Sequence, residues 1–404
     1  MSWEMTIIGD HCTVTSSKRF HLSERSNSGV PFYCSKEIIQ KNRGEEITDC
    51  DYISEELYLN IAEKFGVPQE NDLLVTTRGT IGVPYLYRRN DRFYFADGNL
   101  TWIKDFKETL LPQFLYYWFR THEGQKKIDA IAKGTAQKAV PIAGIKTLEI
   151  SLPPVDVQRQ IADILTTYDS LIENNQKQIK LLEEAAQRLY KEWFVDLRFP
   201  GYETTPIVDG IPEGWEVCKF SEIASIMSGG TPKTEVKEYY EGDIPFYTPK
   251  DSDGSFFVFD TITHISEAGL EHCNSQYYPE GTVIITARGT VGKTTILAVP
   301  MAMNQSCYAL KCDELNSPYY LFFSLNKEVD SLKTMANGGV FNTIIVKTFD
   351  SISLTIPTQK VLSAFNAVVS SIMQQIKAKM KQNIHLAEAR DRLLPKLMSG
   401  EIEV

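Results

Sequence analysis

The segment NDLLVTTRGTIG (Asn71–Gly82) returns as EGTVIITARGTVG (Glu280–Gly292), and no other feature restricts the fold as tightly. Three further pairs keep the same order. GVPFYCSKE (Gly29–Glu37) answers DIPFYTPKD (Asp243–Asp251), and LLPQFLYYWF (Leu110–Phe119) answers NSPYYLFFSL (Asn316–Leu325). GTAQKAVPIAGIKTLEISLPP (Gly134–Pro154) answers GGVFNTIIVKTFDSISLTIP (Gly338–Pro357), and both end in an alternating strand closed by proline. A period of roughly 205 residues is that of a duplicated domain, not of a solenoid.

After each closing proline the apolar period changes from two to a heptad. Ile161, Leu165, Tyr168, Ile172, Asn175, Ile179, Leu182, Ala186, Leu189 and Trp193 alternate steps of four and three, as a coiled-coil seam requires. Phe365, Val369, Ile372, Ile376, Met380, Ile384, Leu386, Leu393 and Leu397 follow the second copy less regularly. A helix from about Val157 to Val195 would be roughly 58 Å long and could not bury its seam alone. The two helices are therefore expected to pack together, antiparallel under approximate two-fold internal symmetry, with the two domains at opposite ends of a rod.

The fold class expected is α+β: two mixed domains and two long antiparallel coiled-coil helices in a pseudo-two-fold repeat. Strand runs such as LLVTT, VIITA and LEISL stand beside helix candidates LPQFLYYWFR and SPYYLFFSLN. The expected segments are a first domain at 1–155, a central helix at 156–196, a linker and second domain at 197–357, and a C-terminal helix at 358–404. The linker begins with DLRFPGYETTPIVDGIPEGW, rich in Pro, Gly and Thr.

Three strings resemble the specificity subunit of type I restriction-modification enzymes: GIPEGWEVCKFSEIASIMSGGTPK (Gly210–Lys233), ISLPPVDVQRQIADIL (Ile150–Leu165) and LLPKLMSGEI (Leu393–Ile402). The resemblance extends over essentially the whole chain. The first copy departs most, because MSWEMTIIGDHCTVTSSKRFHL shows no counterpart of the GW and GGTP segment. The resemblance implies a non-catalytic chain whose two target-recognition domains each meet half of a bipartite double-stranded DNA site. Its helices would dock two modification subunits, which methylate adenine with S-adenosylmethionine, and restriction or translocase subunits would add cleavage driven by ATP and Mg²⁺. No cofactor is expected in this chain. It has no N-P-P-Y/F or D-P-P-Y string for a methyltransferase and no proline-aspartate dipeptide to open a nuclease motif, so the flipped adenine must enter a partner's pocket.

Composition sets the boundaries of this reading. Hydrophobic content of 43% and charged content of 23% suit a globular protein, and no apolar run approaches the roughly 20 residues of a membrane span, so a cytoplasmic location is expected. Seven cysteines without a C-x-x-C pair point to reduced thiols, and His264, His272 and Cys273 lack the further ligand a metal site needs. A net charge of −10 opposes DNA binding at long range. The opposition is uneven: residues 1–155 carry 19 basic and 20 acidic side chains, whereas 207–357 carry 10 and 19. The second domain is thus expected to rely on base contacts, with basic partners supplying nonspecific affinity.

ARGTVGKT (Ala287–Thr294) lies one residue from a phosphate-binding loop, but Ala287 replaces its first glycine, and the first copy has Val83 and Pro84 where lysine and hydroxyl would stand. What the copies share is a tight turn that thrusts forward Arg78 or Arg288, flanked by Thr77 and Thr80 or by Thr290. A guanidinium can fork onto guanine or phosphate; an arginine bracing its own loop is the alternative. Arg88, Arg89, Arg92, Lys133 and Lys138 are further phosphate candidates in the first domain, as are Lys250, Lys293 and Asn342 in the second. Asn304 and Gln305 can read adenine, or cap a turn. Ile161, Leu165, Ile172, Ile179, Leu182, Leu189, Phe365, Val369, Ile376, Leu386 and Leu393 are the seam residues of the expected docking helices. Two rivals to the DNA-reading function are a coiled-coil scaffold that binds only protein and a nucleotide-driven enzyme using the near-loop at Ala287.

Overall fold

A computed structural model of the chain describes residues 3–19, 21–134, 138–312, 315, 317–335 and 343–404, without the side chains of Leu22 and of residues 331–335. The chain forms two compact units, Met1–Gln176 with Asn383–Val404, and Lys177–Gln382. Each long helix is shared between them. The central helix runs Val155–Tyr190 and closes in a π-helical turn, Lys191–Val195; the C-terminal helix runs Gln359–Ser399.

In the first unit an antiparallel sheet is ordered Thr13–Thr15, Leu100–Lys104, Leu73–Thr76, Pro84–Leu86, beside a small sheet ordered Asp51–Ile53, Val30–Tyr33, Tyr94–Phe95. The second unit repeats this order. Its main sheet runs Ser225–Ser228, Cys307–Lys311, Val283–Thr286, Thr294–Leu297, and its small sheet His264–Ile265, Ile244–Tyr247, Ala302–Met303. One strand, Phe257–Val258, is added beside Thr294–Leu297. The expected α+β repeat is therefore present strand by strand. The helix candidates form at Pro112–Arg120 and Pro318–Met335.

The first copy's N-terminus corrects the expectation that it lacks a counterpart of the GW segment. Glu4–Ile7 pairs with Glu149–Leu152, placing Glu4 opposite Leu152, one residue before Pro153. Glu216–Lys219 pairs with Ser353–Ile356 in the same way, placing Glu216 opposite Ile356, one residue before Pro357. Trp3–Glu4 is thus the equivalent of Trp215–Glu216. The glycine pair has no such equivalent, and the second unit needs it for a steric reason. A Cβ on Gly229 would overlap the carbonyl oxygens of Met303 and Asn304, and one on Gly230 would meet the Asn274 backbone. Ser17 and Lys18 occupy those places in the first unit.

In each unit the domain core continues onto its share of both helices. In the first, Ile161 and Leu165 of the central helix and Leu394, Leu397 and Met398 of the C-terminal helix join Ile8, Leu73, Phe114 and Trp118. Asp169 bonds Arg390 (2.6 Å) while Asn175 bonds Asn383 (2.9 Å), so the helices run antiparallel there. In the second, Ala186, Tyr190 and Phe194 meet Phe365, Val369, Met373 and Ile376, with the Phe194 and Phe365 rings edge-on at 4.9 Å. Gln158 fixes the start of the central helix. Fully buried, it accepts from the Leu111 amide (2.9 Å) and donates to the Thr109 and Pro153 carbonyls (both 2.9 Å), so a polar side chain is tolerated because its amide is satisfied.

Glu183, on the central helix within the second unit, makes that unit sensitive to pH. Burial pushes its carboxyl up to about 7; the Phe256 amide opposes the rise and Asp253 adds to it. A carboxyl raised in the folded state costs nothing while both states are protonated, and destabilises progressively as pH climbs from 4.5 through 7. Glu183→Gln is expected to stabilise the second unit by about 1 kcal/mol at pH 8, after allowance for partial exposure, and negligibly at pH 4. Thermal melts at the two pH values test this, and an equal shift at both would show that ionisation is not the cause.

Candidate nucleic-acid interface

Each repeated turn is built on a buried threonine that sequence reasoning passed over. Thr76 Oγ1 donates to the Thr80 carbonyl (2.7 Å) and accepts from the Val83 amide (2.9 Å), while the Gly82 amide donates to the Thr76 carbonyl (2.7 Å). In the second unit Thr286 Oγ1 donates to the Thr290 carbonyl and accepts from the Lys293 amide (2.9 Å), and the Gly292 amide donates to the Thr286 carbonyl (2.8 Å). Gly79, Gly82, Gly289 and Gly292 all adopt positive φ, between 73° and 80°, which explains the glycine spacing. A detectable signal existed: a buried-strand threonine precedes the motif in both copies.

Both turns dock onto the same neighbours. The Thr77 amide donates to the Asn99 carbonyl (2.8 Å) and the Val140 amide to the Thr77 carbonyl (3.0 Å); Ala287 uses Ser306 (2.7 Å) and Ile344 (2.9 Å) identically. Thr77 is buried, and its hydroxyl donates to the Gly98 carbonyl (3.3 Å). This fastening leaves Arg78, Thr80, Arg288 and Thr290 exposed at the tips. Among the described residues, Arg78, Arg89, Arg288, Lys133, Lys250 and Lys293 make no ion pair, and neither Arg78 nor Arg288 hydrogen-bonds a carbonyl of its own loop through its side chain, so an arginine bracing its own loop is not what either turn displays.

The structure gathers some candidates and disperses others. Lys133 pairs through its backbone with Ala139, which also bridges to Arg78, so Lys133 and Lys138 stand beside the first turn. Lys138 lies 3.9 Å from Asp129. Arg88 and Arg89 lie at the other end of the hairpin, where Tyr87 pairs with Asn71 and Asp72. Arg88 is occupied by Glu173 (3.0 Å) and Arg92 by Glu55. Neither is placed to act with Arg78, because each guanidinium is held by a carboxylate distant in sequence, which no local charge pattern marks.

In the second unit Thr290 donates to the Pro249 carbonyl (3.3 Å), bringing exposed Lys250 next to Arg288. Asn304 uses its Oδ1 to accept from the Ser306 amide (3.0 Å), capping a turn, and Gln305 accepts from Thr231. Lys293 lines a cleft with Lys191, Asn326 and Lys327. Asn342 lies outside the described residues. A phosphate-binding loop needs free amides, but those of Ala287, Gly292 and Lys293 are spent on Ser306 and Thr286, which opposes the nucleotide-enzyme reading.

The heptad side chains build the helical platform instead of presenting it. Ile161, Leu165, Phe365, Val369 and Ile376 are fully buried, and Ile172, Ile179, Leu182, Leu189, Leu386 and Leu393 are half-buried. Exposed apolar side chains on the same helices are Leu171, Leu181, Val368 and Ile384.

Comparison with known proteins identifies what this architecture belongs to. Residues 1–184 and 212–383 match the type I restriction modification DNA specificity domain, and the chain belongs to that family. It is 25% identical over 386 residues to the HindI specificity subunit of Haemophilus influenzae, covering 78% of this chain and 84% of that protein. It is 29% identical over 314 residues to the MjaIX specificity subunit of Methanocaldococcus jannaschii, covering 74% and 71%. A crystal structure of a type I restriction-modification system S subunit from M. genitalium shares the fold, with a TM-score of 0.61 and 16% identity over 98% of this chain and 96% of that one. The chain is accordingly a non-catalytic specificity subunit. None of its described helices is long and apolar enough to cross a membrane.

Proposed function

We propose that this specificity subunit reads a split, asymmetric double-stranded DNA sequence, with residues 1–155 and 197–357 as its two target-recognition domains. The helical segments 156–196 and 358–404 dock two modification subunits, which methylate adenine with S-adenosylmethionine. Restriction or translocase subunits bring ATP and Mg²⁺, and the assembly works in the cytoplasm. The observation that carries the DNA reading is the arginine turn, fastened alike in both domains and exposed without an ion pair at its tip. A scaffold that binds only protein gives no reason for keeping that turn twice. The unequal charge of the domains suits an asymmetric target, since the second has fewer cations for phosphate and depends more on placed contacts.

Arg288→Ala is expected to weaken DNA binding by about 1 to 3 kcal/mol and to reduce the salt slope by about one. Titrating the complex with duplexes altered in one half at a time tests this. Unchanged affinity for every duplex would exclude the turn from the interface.

A further inference from the structure

The arginine turn is the same in both domains, so it cannot be what distinguishes the two halves of an asymmetric target. What differs lies beside it. Thr13 faces Lys104 and Ser225 faces Lys311, and counting from these pairs sets Arg19 in the place of Thr231 and Asp97, Gly98 and Asn99 in the places of Asn304, Gln305 and Ser306. The backbone agrees, because each turn donates its amide to Asn99 or Ser306. In the first unit Arg19 approaches Asp97 at 3.9 Å, and the Arg78 guanidinium lies over Gly98. In the second, Gly229 is pressed against the Asn304 carbonyl and Thr231 bonds Gln305. The strand-exit segment, the loop before the next strand and the arginine turn therefore form one edge in each domain, with one identical element and two different ones.

Resting on the DNA-reading function, we propose that Arg19, steered by Asp97, discriminates bases in one half of the target and Gln305, held by Thr231, in the other, while Arg78 and Arg288 anchor the duplex alike in both. Contacts to phosphate position a protein without reading sequence, whereas contacts to base edges specify. Arg19, with 84% of its side chain exposed and only a loose ion pair, keeps its fork free for guanine O6 and N7. Gln305 is exposed and spends one lone pair on Thr231, leaving its amide donors and a second lone pair for adenine N7 and N6. The first unit thus selects a G·C pair where the second selects an A·T pair.

The test is selection from a pool of randomised duplex DNA by the full chain assembled with its modification subunits. Wild type is expected to enrich one split sequence. Arg19→Ala should reduce a guanine preference at one position at least tenfold with all other positions within twofold, and Gln305→Ala should do the same to an adenine preference in the other half. Arg19→Lys should keep affinity and weaken the guanine preference without abolishing it, since an ammonium reaches O6 and N7 but lacks the planar fork. Arg78→Ala should weaken binding to all sequences alike. Base preferences within twofold of wild type in both the Arg19→Ala and Gln305→Ala proteins would overturn the assignment, as would a changed preference in Arg78→Ala. Should wild type enrich no split sequence, the DNA-reading function itself falls, an outcome distinct from either.

Discussion

Asp169→Ala is expected to lower the stability of the first unit by about 3 kcal/mol, seen as an earlier urea midpoint. The Asp169 carboxylate accepts from Arg390 (2.6 Å), Arg120 (2.9 Å) and the Tyr117 hydroxyl (2.8 Å), joining the central helix to the C-terminal helix and to Pro112–Arg120. Truncation leaves Arg120 with no carboxylate and Arg390 with Asp391 alone, itself largely exposed, in a half-buried site, and that orphaning costs more than the pairs contribute when intact. Burial by itself would raise the carboxyl, but Arg120 and then Arg390 outweigh it and hold it below its ordinary value of 3.8. A carboxyl depressed in the folded state supplies stability that is complete above its unfolded value and is lost as pH falls through the folded one. Wild type and variant should therefore differ fully at pH 7 and converge in strong acid. A deficit below about 1 kcal/mol at pH 7 would mean that the cluster is not a joint between these helices.

Gly229→Val is expected to disable the second unit selectively. The backbone at Gly229 runs so close to Met303 and Asn304 that any Cβ displaces it, and a branched side chain also forces the loop 304–306 away from Ala287, its hydrogen-bond donor. Overpacking of this kind costs about 3 kcal/mol. Hydrogen exchange should show lost protection at Ala287 and at 302–308, with amides of the first unit unchanged. Loss of one half-site in DNA binding should accompany it. Protection at Ala287 equal to wild type would show that the strand-exit segment can yield without moving the turn.

Much of this architecture was legible in the chain because periodicity is a local property. Heptad spacing located both helices, alternating runs located Val283–Thr286 and Glu149–Leu152, and the glycine spacing located the two arginine turns. The equivalence of Trp3 with Trp215 escaped because two matching residues carry too little signal until Glu4 is seen opposite Leu152 as Glu216 is opposite Ile356. Electrostatic partners escaped for a different reason. Glu173, which occupies Arg88, lies on the central helix far along the chain, and no local pattern marks the pair. Arg19 stands in a segment that the internal repeat does not preserve, so only the sheet could align it with Thr231.

The amide pair of Asn175 and Asn383 has a consequence for which arrangements of the helices are permitted. Apolar seams are nearly indifferent to sliding, since one isoleucine packs about as well as another a heptad away. Asn175 is buried, its amide donating to Asn383, and Asn383 in turn reaches the Ile172 carbonyl (3.4 Å). Any slip would leave the buried Asn175 amide without Asn383, at a penalty of about 1 to 3 kcal/mol for each unmet group. The pair thus gives up some adhesion, relative to two leucines, in exchange for ruling out every alignment but one. Asn175→Leu with Asn383→Leu would accordingly be a more stable protein and a less uniquely assembled one.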